Sequence, residues 1–74
     1  MSRLPRASGR EVVKALGSAG YESDRQRGGH IVLRQGVEPH RRLVAPDHKE
    51  LARGTLRAII RQAGLTVEEF IELL

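Results

Sequence analysis

The sequence predicts an α+β fold in the order α-β-β-β-α with a short C-terminal helix, and three observations carry that prediction. Ser8-Gly9-Arg10-Glu11 and Thr66-Val67-Glu68-Glu69 are both capping boxes, a hydroxyl residue followed three places later by glutamate, and each marks a helix start. Apolar residues recur at helical spacing near both ends of the chain, whereas the middle carries short extended runs. Glycine or proline stands at each change of pattern.

Residues 1–7 read as a short basic lead-in. Helix one is expected over 9–19, with Val12, Leu16 and Ala19 on one stripe, Val13 widening it and Gly20 as a left-handed stop. Tyr21 to Arg25 can extend as a polar edge strand. Gly28-Gly29 signals a turn, and 30–35 is the clearest strand because it is β-branched and apolar. Gly36 to Pro39 makes a second turn, and Arg42 to Ala45 a third strand stopped by Pro46. Three strands joined by short turns form an antiparallel meander. Asp47 to Gly54 reads as a polar connector. Helix two is expected over 55–63, with Leu56, Ile59, Ile60 and Ala63 on one face, Arg57 and Arg61 on the other, and Gly64 closing it. The terminal helix carries Phe70, Leu73 and Leu74. Helices packed on one face of the sheet would bury a single core, as the α+β class requires.

Seventy-four residues make one small domain, 1–74. There is no cysteine, hence no disulfide and no thiolate metal site. No run of about 18 apolar residues is present and the first five residues do not resemble a secretion signal, so the chain reads as soluble, cytoplasmic and free of membrane contact. Thirteen Lys and Arg face nine Asp and Glu, a net charge of +4, and every cation except Lys14 and Lys49 is arginine. Arginine grips phosphate bidentately, so the imbalance points to a polyanion, RNA or DNA, or to an acidic protein. A solvated arginine-rich surface accounts for the composition equally well. Tyr21 and Phe70 are the only aromatics, which leaves no platform for stacking single-stranded bases. Nucleic-acid binding would therefore rest on the backbone and be salt-sensitive.

His30 is the residue on which chemistry would turn. It follows the basic turn Arg25-Gln26-Arg27-Gly28-Gly29 and opens the middle strand. Imidazole changes charge near neutral pH. Strand alternation puts Ile31 and Leu33 on one face and His30, Val32 and Arg34 on the other. With Ile31 and Leu33 toward the helices, His30 and Arg34 share the open face, a pairing suited to phosphate. Arg25, Arg27 and Arg34 flank the histidine and are the natural phosphate contacts. Gly28 and Gly29 would let an RNA backbone approach closely, or serve a turn that demands positive φ. His48 has catalysis as one reading and capping or packing under helix two as the ordinary one; His40 reads as solvated. Three histidines without tight spacing, and no clustered carboxylates, do not compose a metal site, and no cofactor motif is present.

Two blocks of the chain resemble a known family. Tyr21-x-x-Asp24-Arg25-x-Arg27-Gly28-Gly29-His30 is followed by Pro46-x-His48-x-Glu50-Leu51-x-x-Gly54-Thr55-Leu56-Arg57-x-Ile59-x-x-Gln62-Ala63-Gly64-Leu65. In order and spacing, from about Ser8 to Phe70, this is similar to HicA, also called the YcfA family, the toxins of HicA–HicB toxin–antitoxin pairs. The resemblance implies a fold like the double-stranded-RNA-binding domain. It also implies a messenger-RNA endoribonuclease needing no metal, whose catalytic histidine is His30, and an acidic HicB-type antitoxin that covers the site. The chain departs from the pattern at Gly29, where serine is frequent, and at Ile31, where a second histidine is frequent. The first removes a possible hydroxyl contact to phosphate, and no role of the second histidine carries over. A non-catalytic RNA-binding module and a subunit that only docks an acidic protein are the other readings. The sequence does not fix an oligomeric state.

Overall fold

The computed structural model describes residues 3–74 and has the expected order. Helix α1 spans Gly9–Ser18, strands β1, β2 and β3 span Tyr21–Arg27, His30–Gln35 and Arg42–Pro46, and helices α2 and α3 span Arg53–Gln62 and Val67–Leu73. The three strands form one antiparallel sheet in the order β1-β2-β3, so the strand that begins at His30 is central. Both capping boxes are formed: Ser8 and Thr66 accept from the amides of Glu11 and Glu69, whose carboxylates accept in return from the cap amides. Gly20 and Gly64 take the left-handed conformation that ends a helix, with φ of 94° and 78°.

All three helices lie on one side of the sheet. Val12, Ala15 and Leu16 from α1, Leu56, Ile59 and Ile60 from α2 and Phe70 from α3 join Tyr21, Ile31, Leu33, Leu43 and Ala45 of the strands in one core. The phenol of Tyr21 donates to the carbonyl of Ala63 at 3.2 Å, so this buried polar tip is satisfied. Val32 is also buried, at 6% exposure, yet stands outside that core because its side chain lies on the other face.

The structure differs from the sequence reading in several places. Leu4 and Ala7 of the lead-in are core residues, and the Ala7 carbonyl accepts from Leu51. β1 runs on to Arg27, because the two-residue turn lets pairing continue to its last residue. β3 includes Pro46. The Gln35 amide bonds to the Arg41 carbonyl at 2.8 Å, which makes every second pair down the ladder hydrogen-bonded and leaves His30↔Pro46 among the others. Proline has no N–H to give, and at that position none is needed. Finally, α2 starts at Arg53 rather than Thr55 and carries Gly54 inside it. Its start follows from Leu51, anchored in the core two residues earlier, and not from a side-chain cap.

Gly9 fixes how α1 meets the sheet. A Cβ there would stand 2.0 Å from the Pro46 carbonyl oxygen, and the Gly9 amide donates to the His48 carbonyl at 2.9 Å. Only glycine permits that approach. It brings the N-terminus of α1 against the exit of β3, beside the turn that leads into His30.

Candidate functional site

The uncovered face of the sheet collects the basic residues. Directly paired residues in an antiparallel ladder share a face. His30 pairs with Arg27 and Pro46, Val32 with Arg25 and Val44, and Arg34 with Glu22 and Arg42. His30, Arg25, Arg27, Arg34 and Arg42 are therefore coplanar neighbours, all exposed, around a small apolar island of Val32 and Val44. Val44 is 46% exposed.

A β-bulge makes this arrangement possible. Counting by twos from buried Tyr21 would send Arg25 and Arg27 into the core face. The register instead shifts between Ser23 and Arg25, so that Asp24 is the extra residue. One added residue reverses the facing of everything beyond it, which turns both arginines toward His30. Asp24 then reaches Arg34 across the face at 3.7 Å, an exposed pair that orients the guanidinium more than it stabilises the fold.

The turn preceding His30 is held from beneath. Of its two residues only Gly28 has positive φ, 56°, the pattern of a type II′ hairpin turn. Gly29 has no such constraint and open space where a Cβ would stand. Its carbonyl accepts from the Asp47 amide at 2.7 Å. The Asp47 carboxylate in turn accepts two bonds from the Arg10 guanidinium and one from the Gln26 amide, each at 3.2 Å. Strand β1, the β3 exit and α1 are thus tied around the loop that aims the histidine. Replacing Gly28 by alanine should cost about 1–2 kcal/mol through the left-handed backbone. Gly29→Ser should stay within about 0.5 kcal/mol, as unstrained surface changes do. Thermal melts of the two variants check this, and equal losses would contradict the assignment of strain to Gly28.

Five of the six residues expected to form the site from their places in sequence lie at or beside the His30 end: Arg25, Arg27, Gly28, Gly29 and His30 itself. The sixth, Arg34, stands four residues along β2. The arginine missed by that reading is Arg42, and the alternation of buried Leu43 and Ala45 with exposed Arg42 and Val44 was the signal for it. His48 neither caps nor packs under α2: its side chain is exposed, and the N-cap is Ala52 with no side-chain bond. The chain needs only the His48 carbonyl, as the acceptor for Gly9. His40 is exposed, in the left-handed region with φ 56°, and its Nδ1 lies 3.1 Å from the Gln35 carbonyl. Arg57 and Arg61 are exposed on α2, in the helix layer and across the sheet from His30. Among the described residues no group of three or more His, Asp or Glu is placed to hold a metal ion, and no helix is long and apolar enough to cross a membrane.

A family model described as HicA toxin of bacterial toxin-antitoxin matches residues 9–65 of the 74. The chain belongs to the HicA toxin family. No curated protein matches it. The matched span runs from the first residue of α1 to just past α2, and so includes the whole sheet, its bulge and the open face. Membership makes this chain a toxin of a toxin–antitoxin system, a protein whose partner is an antitoxin. In this HicA-family chain, Gly29 and Ile31 stand where the resemblance leads one to look for serine and histidine, and each has a structural consequence. Gly29 has room for the serine it lacks. Ile31 points into the core, so a histidine at that position would face away from His30 unless the strand moved.

Proposed function

We propose that this toxin is an endoribonuclease that cleaves messenger RNA, with His30 as general acid or base and with no metal required. The observation that supports it most is the placing of one exposed imidazole beside Arg25 and Arg27 on a sheet face left open by every helix. Cleavage by internal attack needs a base to take the 2′-hydroxyl proton, an acid to protonate the departing 5′-oxygen, and cations to meet the charge growing on phosphorus. His30 carries out one of the two proton transfers. Arg25 and Arg27 hold the phosphate oxygens and stabilise the charge that develops there, a task for which the forked guanidinium is suited. The 2′-oxygen becomes bonded to phosphorus as the 5′-oxygen leaves, so the products carry a 2′,3′-cyclic phosphate and a 5′-hydroxyl. A HicB-type antitoxin would act in the cytoplasm by covering this face, its acidic groups opposite the arginines. The whole chain, 1–74, then works as a single RNase domain.

The test uses purified protein and single-stranded RNA in EDTA, beside the same sequence as 2′-deoxy oligonucleotide. We expect cleavage of the RNA alone, with cyclic-phosphate ends on the products. Binding of both strands without cleavage of either would instead identify a non-catalytic RNA-binding module. Cleavage only on adding a divalent ion would refute the metal-free route.

A further inference from the structure

Arg34 and Arg42 stand directly opposite each other on the open face. Because the neighbouring Gln35/Arg41 pair carries a backbone hydrogen bond, theirs is a narrow pair, with Cα atoms about 4.5 Å apart. Like charges so placed oppose sheet formation. Arg34 is answered from β1, by Asp24 at 3.7 Å and by its cross-strand partner Glu22. Among the described residues no carboxylate pairs with Arg42. The end of the face farthest from His30 is thus acidic toward β1 and basic toward β3. Just beyond β3, Arg41, Arg42, Val44 and Gln62 line an open depression of about 700 Å³. The Arg41 guanidinium lies on the helix side of this edge, over Gly64, two residues past the end of α2, where the helix terminus favours a cation.

We infer that a single-stranded RNA whose scissile phosphate sits at His30 leaves the face over β3, past Val44, and that Arg42 holds a phosphate farther along the same strand. This rests on the ribonuclease reading above and adds a second, distal phosphate subsite to it. His30 and Arg34 are four residues apart on β2, about 13 Å at strand rise, so the two phosphate sites are separated by the length of the face. Val44, packed beside buried Val32, lies between them and offers an apolar surface to a ribose or base. Glu22 and Asp24 repel the alternative route over β1. Folding gives no reason for Arg42 to be a cation opposite Arg34, whereas a phosphate held on this face does.

Binding of a 2′-O-methyl RNA, which lacks the nucleophile, isolates this from cleavage. Arg42→Ala should weaken it about tenfold, the loss expected for one charge-assisted contact. It should also reduce the slope of log K against log salt by about 0.7, one phosphate contact on a single strand. Arg41→Ala, on the helix side, and Lys14→Ala, on α1, should each stay within about twofold. A neutral methylphosphonate at one linkage away from the cleavage site should weaken the wild type and leave Arg42→Ala indifferent. Thermal melts should place Arg42→Ala at or above the wild type, so that lost binding is not lost folding. Unchanged affinity and slope in Arg42→Ala, in a wild type that cleaves RNA, would overturn the subsite and leave the ribonuclease reading standing. Stronger binding by Asp24→Asn, with Arg42→Ala neutral, would send the strand over β1 and equally overturn it. Equal weakening of RNA and polyglutamate binding in Arg42→Ala would assign the patch to an acidic protein instead. No RNA binding by the wild type at low salt would remove both readings together.

Discussion

Alanine at position 30 should reduce the rate of RNA cleavage by about 10²–10⁴-fold, the usual contribution of a positioned general acid or base. The structure lets this loss be read as chemistry. His30 is exposed and its side chain has no hydrogen-bond partner among the described residues, so the loss of its imidazole should change stability by no more than about 0.5 kcal/mol. Arg25 and Arg27 remain in place on β1, so RNA affinity should persist. The expected result is therefore a protein that melts like the wild type, binds RNA like the wild type and does not cut it. Single-turnover cleavage, thermal melting and binding to uncleavable RNA measure the three terms separately. His30→Gln should fail as fully as His30→Ala, because an amide keeps hydrogen bonding but cannot exchange a proton at working pH. Cleavage by either variant at the wild-type rate would dismiss His30 as the proton-transfer group. Loss of affinity in step with loss of rate would make it a binding residue only.

The residues that form this face were legible in the sequence to different depths, and the differences have physical causes. Alternation along β2 was readable because one face is apolar: Ile31 and Leu33 point to the helices, so His30 and Arg34 cannot. The capping boxes were readable because each is a local exchange of two hydrogen bonds. The bulge at Asp24 was not, since β1 has one buried residue in seven and gives no second apolar position to register against Tyr21. Without it, sequence proximity to His30 suggested Arg25 and Arg27, but strand parity would have faced them the wrong way. Arg42 was missed for the opposite reason. Its alternation was plain, and only the pairing of β2 with β3 shows that it stands opposite Arg34. The early start of α2 depended on Leu51 reaching the core, and the burial of Leu4 and Ala7 on the chain crossing beneath that connector. Those are tertiary events, and local propensity carries no record of them. His48 shows the limit from the other side, a motif residue whose side chain the fold leaves in solvent and whose backbone alone it uses.

The largest effect on folding should come from a residue outside the span matched by the family. Phe70 is fully buried, at 0% exposure, and heads the largest side chains in the core. It belongs to α3, a seven-residue helix far too short to persist in water by itself. Helix α3 therefore depends on Phe70 entering the core between α1 and α2, and those helices depend on it to close the layer. Phe70→Ala should cost about 3–5 kcal/mol in transfer and cavity terms. A domain of this size has about 4–11 kcal/mol in all, so the variant should be largely unfolded at growth temperature or melt at least about 12 °C lower. Leu74→Ala is the control. Leu74 is one turn further on and 51% exposed, and its loss should change stability by no more than about 0.5 kcal/mol. Chemical denaturation of the three proteins decides the point, with comparable midpoints for Phe70→Ala and wild type as the contrary result. The consequence reaches the open face even though Phe70 is nowhere near it. Leu16 and Leu33, both at 0% exposure, share its core, and Leu33 lies on β2 between Val32 and Arg34. A sheet that carries its arginines and histidine on one side keeps their spacing only while the other side is packed. Truncating α3 ahead of Phe70 should thus abolish RNA cleavage with His30, Arg25 and Arg27 all still present.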